Sequence, residues 1–210
     1  MTEASQQALE SLRITANMQW YVVPLLVFVL YVYINEAERG NWSAVFLGIA
    51  AWGAETIWEM FNALILHFSN FAPLWATPGG NSAFIIYAGL NIEITFFFAA
   101  AAPMVIKALP RDPGLKIGGL PNRVLIPVGF GVLAVFVEIL LNQAGLLVWS
   151  YDWWKWPHVW LILVVYCLPW YALAWCHDHL AMKTKARAAL ALPAAAVFLH
   201  LVFATWLGWI

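Results

Sequence analysis

Charge is scarce in this sequence. Only 10% of its 210 residues are Asp, Glu, Lys or Arg and 64% are hydrophobic, whereas soluble domains run near a quarter charged. A soluble fold of this length has no interior large enough for that much apolar surface. Basic runs are missing too, and the formal net charge is −1, so nucleic acid is not an expected partner. No Walker loop, dinucleotide fingerprint or Gly-x-Ser-x-Gly element occurs. The last apolar run has no lysine for a retinal-type Schiff base. Cysteine appears twice, as Cys167 and Cys176. Nine residues apart on one expected helix, the two lie on opposite sides and too far apart for a disulfide, so they read as structural thiols. The polar start "MTEASQQALESLRITA" lacks the basic beginning and short apolar core of a signal peptide and suits a short surface helix.

What is present is a series of apolar runs longer than eighteen residues, the length of a membrane-spanning helix. The strand-length alternation of an outer-membrane barrel is not seen. The expected fold is therefore all-α: a polytopic membrane protein, one domain over 1–210, with a bundle of six transmembrane helices. The spans fall at about 18–34, 43–67, 82–107, 124–149, 158–177 and 189–209. "NEAERGN", "SNFAPLWATPGGN", "LPRDPGLKIGGLPNR", "SYDWWKWP" and "DHLAMKTKAR" separate them. No three-plus-three repeat of the transporter kind is evident.

Basic residues set the expected topology. Arg39, Lys107, Arg111, Lys116, Arg123, Lys183, Lys185 and Arg187 fall in or beside loops one, three and five, against Arg13 and Lys155 on the other side. By the positive-inside rule, both termini of this multi-pass cell-membrane protein face away from the cytoplasm. Trp75, Trp149, Trp153, Trp154, Trp156, Trp160 and Trp209 gather on the outer side, where a tryptophan belt anchors a protein at the interface; the alternative role is to line a substrate site.

Four carboxylates interrupt the apolar spans: Glu55, Glu59, Glu93 and Glu138. A charged acid at mid-membrane depth costs roughly 2.5–3.5 kcal/mol on insertion scales. Interhelical polar contacts return only ~0.6 kcal/mol on average, so four glutamates are a costly way to join helices. Glu55, Glu59 and Asn62 lie at i, i+4 and i+7 of one helix face, with Trp52 a turn earlier. Glu138, Asn142, Gly145 and Trp149 make a similar stripe on the fourth span. Asn91 and Glu93, two apart, point about 200° from each other on a helix. Three neighbouring spans thus bring acids and amides to one level, between the midplane and the outer leaflet. A protonated carboxyl in a dry pocket is a proton donor and an ionised neighbour a base.

These residues define a candidate site. Glu59 and Glu138 would be acid and base, with Glu55 and Glu93 tuning them. Asn62, Asn91 and Asn142 would orient a substrate, and Trp52, Trp58, Tyr166 and Trp170 would wall the pocket, their ring faces able to stabilise positive charge. The expected function is an integral-membrane enzyme acting on a lipid-soluble isoprenoid or sterol-like molecule by proton transfer: cyclisation, isomerisation or hydration. Its partners are the bilayer and that hydrophobic substrate; an oligomer is compatible. Two alternatives use the same residues: a proton-coupled carrier, and a pigment-, quinone- or lipid-binding accessory subunit of a membrane complex. No cofactor is expected. "CHDHL" offers His177, Asp178 and His179 as a weak metal candidate, and the Glu-x-x-His pairs of di-metal bundles are missing. His158, beside Tyr151 and Asp152, suits either a relay to the cavity mouth or an interface position, and a mid-span His200 more often bonds a neighbouring helix.

"IWEMFN", after a run of small and apolar residues, resembles a helix of the integral-membrane terpene cyclases of meroterpenoid pathways. The resemblance covers one helix and carries over Trp58 and Glu59 alone. It implies a carboxylate that protonates an epoxide or alkene to start cyclisation. Those proteins have seven spans and a second acid on a late helix, and here no late span has one at mid-depth.

Overall fold

A computed structural model describes residues 1–80 and 82–210; Asn81, which ends the second loop of the sequence reading, lies outside them. Seven α-helices make up most of the described residues: α1 (Glu3–Glu10), α2 (Val22–Glu38), α3 (Trp42–Ser69), α4 (Ile92–Ala108), α5 (Asn122–Gln143), α6 (Trp160–His179) and α7 (Met182–His200), the last running on through a π-helical turn to Trp206. Among the described residues, three helices are both long and apolar enough to cross a membrane: Asn122–Gln143, Trp160–His179 and Met182–Trp206. The short amphipathic start forms α1, capped by Thr2. It docks by its buried Ser5 and Ala8, and the Thr2 amide donates to the Phe71 carbonyl at 3.0 Å.

The helix ends follow local chemistry. Gly40, at φ +72°, turns the chain between α2 and α3, and Asn41 caps α3. Asn70 closes α3 in the left-handed conformation, which asparagine tolerates better than most residues. Two glycines permit close helix approach. A Cβ on Gly53 would lie 2.6 Å from the Pro193 nitrogen of α7, and one on Gly131 would lie 2.7 Å from the Cys167 sulfur of α6. Small residues at such crossings allow the backbone-near packing that joins helices in lipid. Both cysteines are free thiols.

Four expected spans are corrected: the first is Val22–Glu38 and not 18–34, the last begins at Met182 and not 189, so that Lys183, Lys185 and Arg187 lie in α7 and not in a loop, and two more change at one end. Residues 82–91 do not start a helix: Ile85–Tyr87 (β1) and Leu90–Asn91 (β2) pair antiparallel, and α4 begins at Ile92. The β-branched pair before "YAG" favours the hairpin. The fourth span ends at Gln143, not 149, because Gly145 turns at φ +71°. A second small hairpin, Lys116–Ile117 (β3) with Leu120–Pro121 (β4), turns through Gly118 and Gly119, both at positive φ.

Several apolar clusters fill the bundle, and two of them frame the site. One holds Ala44, Leu47, Ala102, Val105, Trp170 and Leu173, at the end where the basic loops lie. The other holds Leu74, Trp75, Val135, Leu147, Trp154 and Ile162. There the loop after α3 and the loop after α5 join: Ala76 and Val148 exchange amide–carbonyl bonds of 2.9 and 2.8 Å. The Tyr151 hydroxyl donates to the Ala72 carbonyl at 2.8 Å. The joined loops roof that end of the bundle.

Candidate functional site

Beneath the roof lies a cavity of about 200 Å³ whose lining includes Glu59 of α3, Glu93 and Phe98 of α4, Glu138 of α5 and Tyr166 of α6. Trp75 and Leu147 come down from the roof to close it on the loop side. Phe97 and Val137, which also line it, are 50% and 39% exposed on the outer surface of α4 and α5. The cavity therefore opens sideways, between two helices. Toward the basic end the packed aliphatic core closes it, and Phe98 stacks on Trp170 there with ring planes 12° apart.

The carboxyls are held from opposite walls. Glu59 is 3% exposed, and the indole N–H of Trp75 donates to both of its oxygens at 3.1 Å. Glu138, 9% exposed, accepts a hydrogen bond from the Tyr166 hydroxyl through one oxygen, which leaves the other free toward the cavity. Glu55, one turn before Glu59, does not line the cavity; both its oxygens are sealed from the surface without a hydrogen-bond partner. None of the ion pairs among the described residues involves these three. An unpaired buried carboxyl is expensive when charged, and full ionisation would put like charges side by side.

Glu93 sits at the edge. It accepts from the Tyr21 hydroxyl, from Ser82 Oγ at 2.6 Å and from the Ala83 amide at 3.0 Å. It therefore joins the cavity lining to a partly exposed surface tyrosine. The other expected site residues are placed differently. The Asn62 amide donates to the Trp75 carbonyl at 2.9 Å and accepts from the Leu74 amide at 2.8 Å. Asn91 caps α4 through Ile94 at 2.9 Å, and Asn142 donates to the Leu147 carbonyl at 2.9 Å. All three hold backbone and so position the roof and helix ends; none lines the cavity. Trp52 and Trp58 lie on the outer surface, and Trp170 backs Phe98. Gly145 and Trp149 leave the α5 stripe because the helix has ended.

The residue missed by sequence reasoning is Trp75. The belt pattern assigned it to the interface, as it did Trp149 and Trp154; all three are buried in the roof core. The loop positions of Trp75 and Trp154 give no helical phase from which to place them, and the phase read for Trp149 fails because α5 ends at Gln143. Trp153, Trp156 and Trp160 do remain exposed.

At the basic end, His177 Nδ1 lies 2.8 Å from Ser43 Oγ, His179 Nδ1 lies 2.9 Å from the Trp175 carbonyl, and Asp178 accepts from Arg123 at 2.7 and 3.0 Å. The three diverge, and no three metal-ligating side chains converge among the described residues. His200 lies 2.8 Å from the Tyr87 hydroxyl of β1, so its partner is the hairpin.

No solved structure matches the chain. A protein of Archaeoglobus fulgidus carrying the name "Uncharacterized protein" is 39% identical over 210 residues, which covers 100% of this chain and 99% of that one. Residues 2–205 match the uncharacterized membrane protein family, and the chain belongs to that family of membrane proteins.

Proposed function

We propose that the protein is an integral-membrane enzyme that acts on a lipid-soluble substrate by general acid–base proton transfer. One observation carries this reading: Glu59 and Glu138, from different helices, line one cavity that is roofed at the loop end and open sideways between α4 and α5. A molecule dissolved in the bilayer reaches that mouth without crossing water. Glu138, with one oxygen engaged by Tyr166, presents the other toward the cavity and is assigned the acid; Glu59, held by Trp75 through both oxygens, is assigned the base, the reverse of what the one-helix resemblance implies.

Six spans, with both termini on the non-cytoplasmic side, fit the site's position. Helices α2 and α4 have 17 residues each and α3 has 28, within or above the range of a spanning helix. Arg39, Lys107, Arg123 and Lys185 lie at the bundle end away from the cavity, the end the positive-inside rule assigns to the cytoplasm. A proton-coupled carrier needs a polar path to both faces, and the aliphatic core below Phe98 counts against one.

The test compares lipid extracts of cells producing the wild type, Glu59→Gln or Glu138→Gln, fed a mixed isoprenoid and sterol pool and resolved by chromatography and mass spectrometry. A product made by the wild type alone supports the enzyme. Identical extracts from three equally well inserted proteins refute it.

A further inference from the structure

We infer that the cavity receives one end of a linear isoprenoid chain and shifts a trisubstituted double bond there; this rests on the acid–base reading above. Size comes first. The cavity of about 200 Å³ is below the roughly 300–1,000 Å³ of pockets that enclose a whole drug-sized ligand. It therefore encloses one end of a long molecule and not the whole of it. A rigid sterol nucleus or a polyene folded for ring closure would not be enclosed whole, whereas the flexible tip of a linear chain would be.

Shape comes second. The mouth between Phe97 and Val137 faces outward from the helices, so the remainder of a long chain stays in the bilayer while its tip lies beneath Trp75. Chemistry comes third. A carboxylic acid adds a proton to an alkene most readily where the cation formed is tertiary, which a branched prenyl unit supplies and an unbranched acyl chain does not. The ring of Phe98, stacked on Trp170 and 6.4 Å from that of Tyr166, offers an aromatic wall to such a cation. The roof of Trp75, Leu147 and Trp154 keeps bulk water out, so the cation resolves by losing a proton and not by capturing water.

The step balances without a co-reactant. The O–H bond of Glu138 breaks and the alkene π pair forms a C–H bond at its less substituted carbon. A C–H bond next to the cationic carbon then breaks, and its electron pair becomes the new double bond. That proton passes to the Glu59 carboxylate. Return of a proton from Glu59 to Glu138 restores the starting state.

Three photoreactive probes test the inference with the purified full-length protein in lipid nanodiscs: farnesol carrying a diazirine at its hydrocarbon end, farnesol carrying it beside the hydroxyl, and a diazirine sterol. Labelled peptides are mapped by mass spectrometry. The hydrocarbon-end probe is expected to label residues 92–108 and 122–143 several-fold more than the other two. Val137→Trp, which narrows the mouth from an exposed position, is expected to cut that labelling about tenfold, the equivalent of ~1.4 kcal/mol of binding. Equal labelling by the sterol, or no effect of Val137→Trp, overturns the chain-end site whatever the enzyme does. The same preparation is then assayed for double-bond shift on unmodified farnesol. Labelling as expected, with a shift that Glu138→Gln leaves unchanged, overturns the acid–base reading while the chain-end site stands.

Discussion

At the basic end of the bundle, buried charge meets a partner. Glu36 is paired with Lys107 at 3.3 Å and accepts from Asn41 at 2.8 Å. Asp178 is gripped by Arg123. Lys185, 4% exposed, donates to Ser43 Oγ at 2.9 Å and to the His177 carbonyl at 2.5 Å. At the roofed end, the buried carboxyls Glu55, Glu59 and Glu138 have only neutral donors, Trp75 and Tyr166, or none. The same chain thus gives its buried charges partners at one end and leaves buried carboxyls without counter-ions at the other. Pairing ties α2 to α4 and α5 to α6. Unpaired carboxyls around a cavity contribute little to holding helices together and much to moving protons.

The largest expected effect separates those two uses. Glu138→Gln is expected to lower turnover of the lipid substrate by about 10²–10⁴-fold, the usual contribution of a positioned acid, with helical content by circular dichroism unchanged. Loss of helix in that variant would place Glu138 among the structural pairs. Trp75→Phe keeps the roof's aromatic bulk and removes the donor to Glu59. Hydrogen bonds to a charged group are worth about 1.5–3 kcal/mol, so turnover is expected to fall roughly ten- to hundredfold, with turnover as the readout.

At the paired end the balance reverses. Arg123→Met leaves Asp178 without its partner and is expected to destabilise the protein by about 1–3 kcal/mol, measured as denaturant unfolding in detergent, while the residual folded protein turns over normally. The smallest effect is at Glu55. Its oxygens have no partner to lose, so Glu55→Gln is expected to leave stability within about 0.5 kcal/mol. A large loss of stability would show that Glu55 is paired after all.

Much of this arrangement was legible beforehand, unevenly. Apolar length gave the helices, and the four-residue spacing of Glu55 and Glu59 gave a shared face of α3. Glu138 and Tyr166 were named from the same logic, and both line the cavity. The hairpin at 85–91 was hidden because its apolar residues merge with those of α4, which also placed Asn91 in mid-helix when it is a cap. Asn62 and Asn142 looked like site residues because helical phase shows which way a side chain points, not which loop will come to meet it. Trp75 was missed for the same reason. The roof is made of long-range loop pairing, Ala76 with Val148, and no periodicity records such pairing.

The most direct measurement is deuterium incorporation. Wild-type protein in nanodiscs is incubated in D2O with a linear isoprenoid, and the lipid is recovered and analysed by mass spectrometry. The expected result is deuterium on the chain with wild type and its absence with Glu138→Gln. Lipid free of deuterium after incubation with wild type, or equal labelling by both proteins, would contradict a proton-transfer role for the cavity carboxyls.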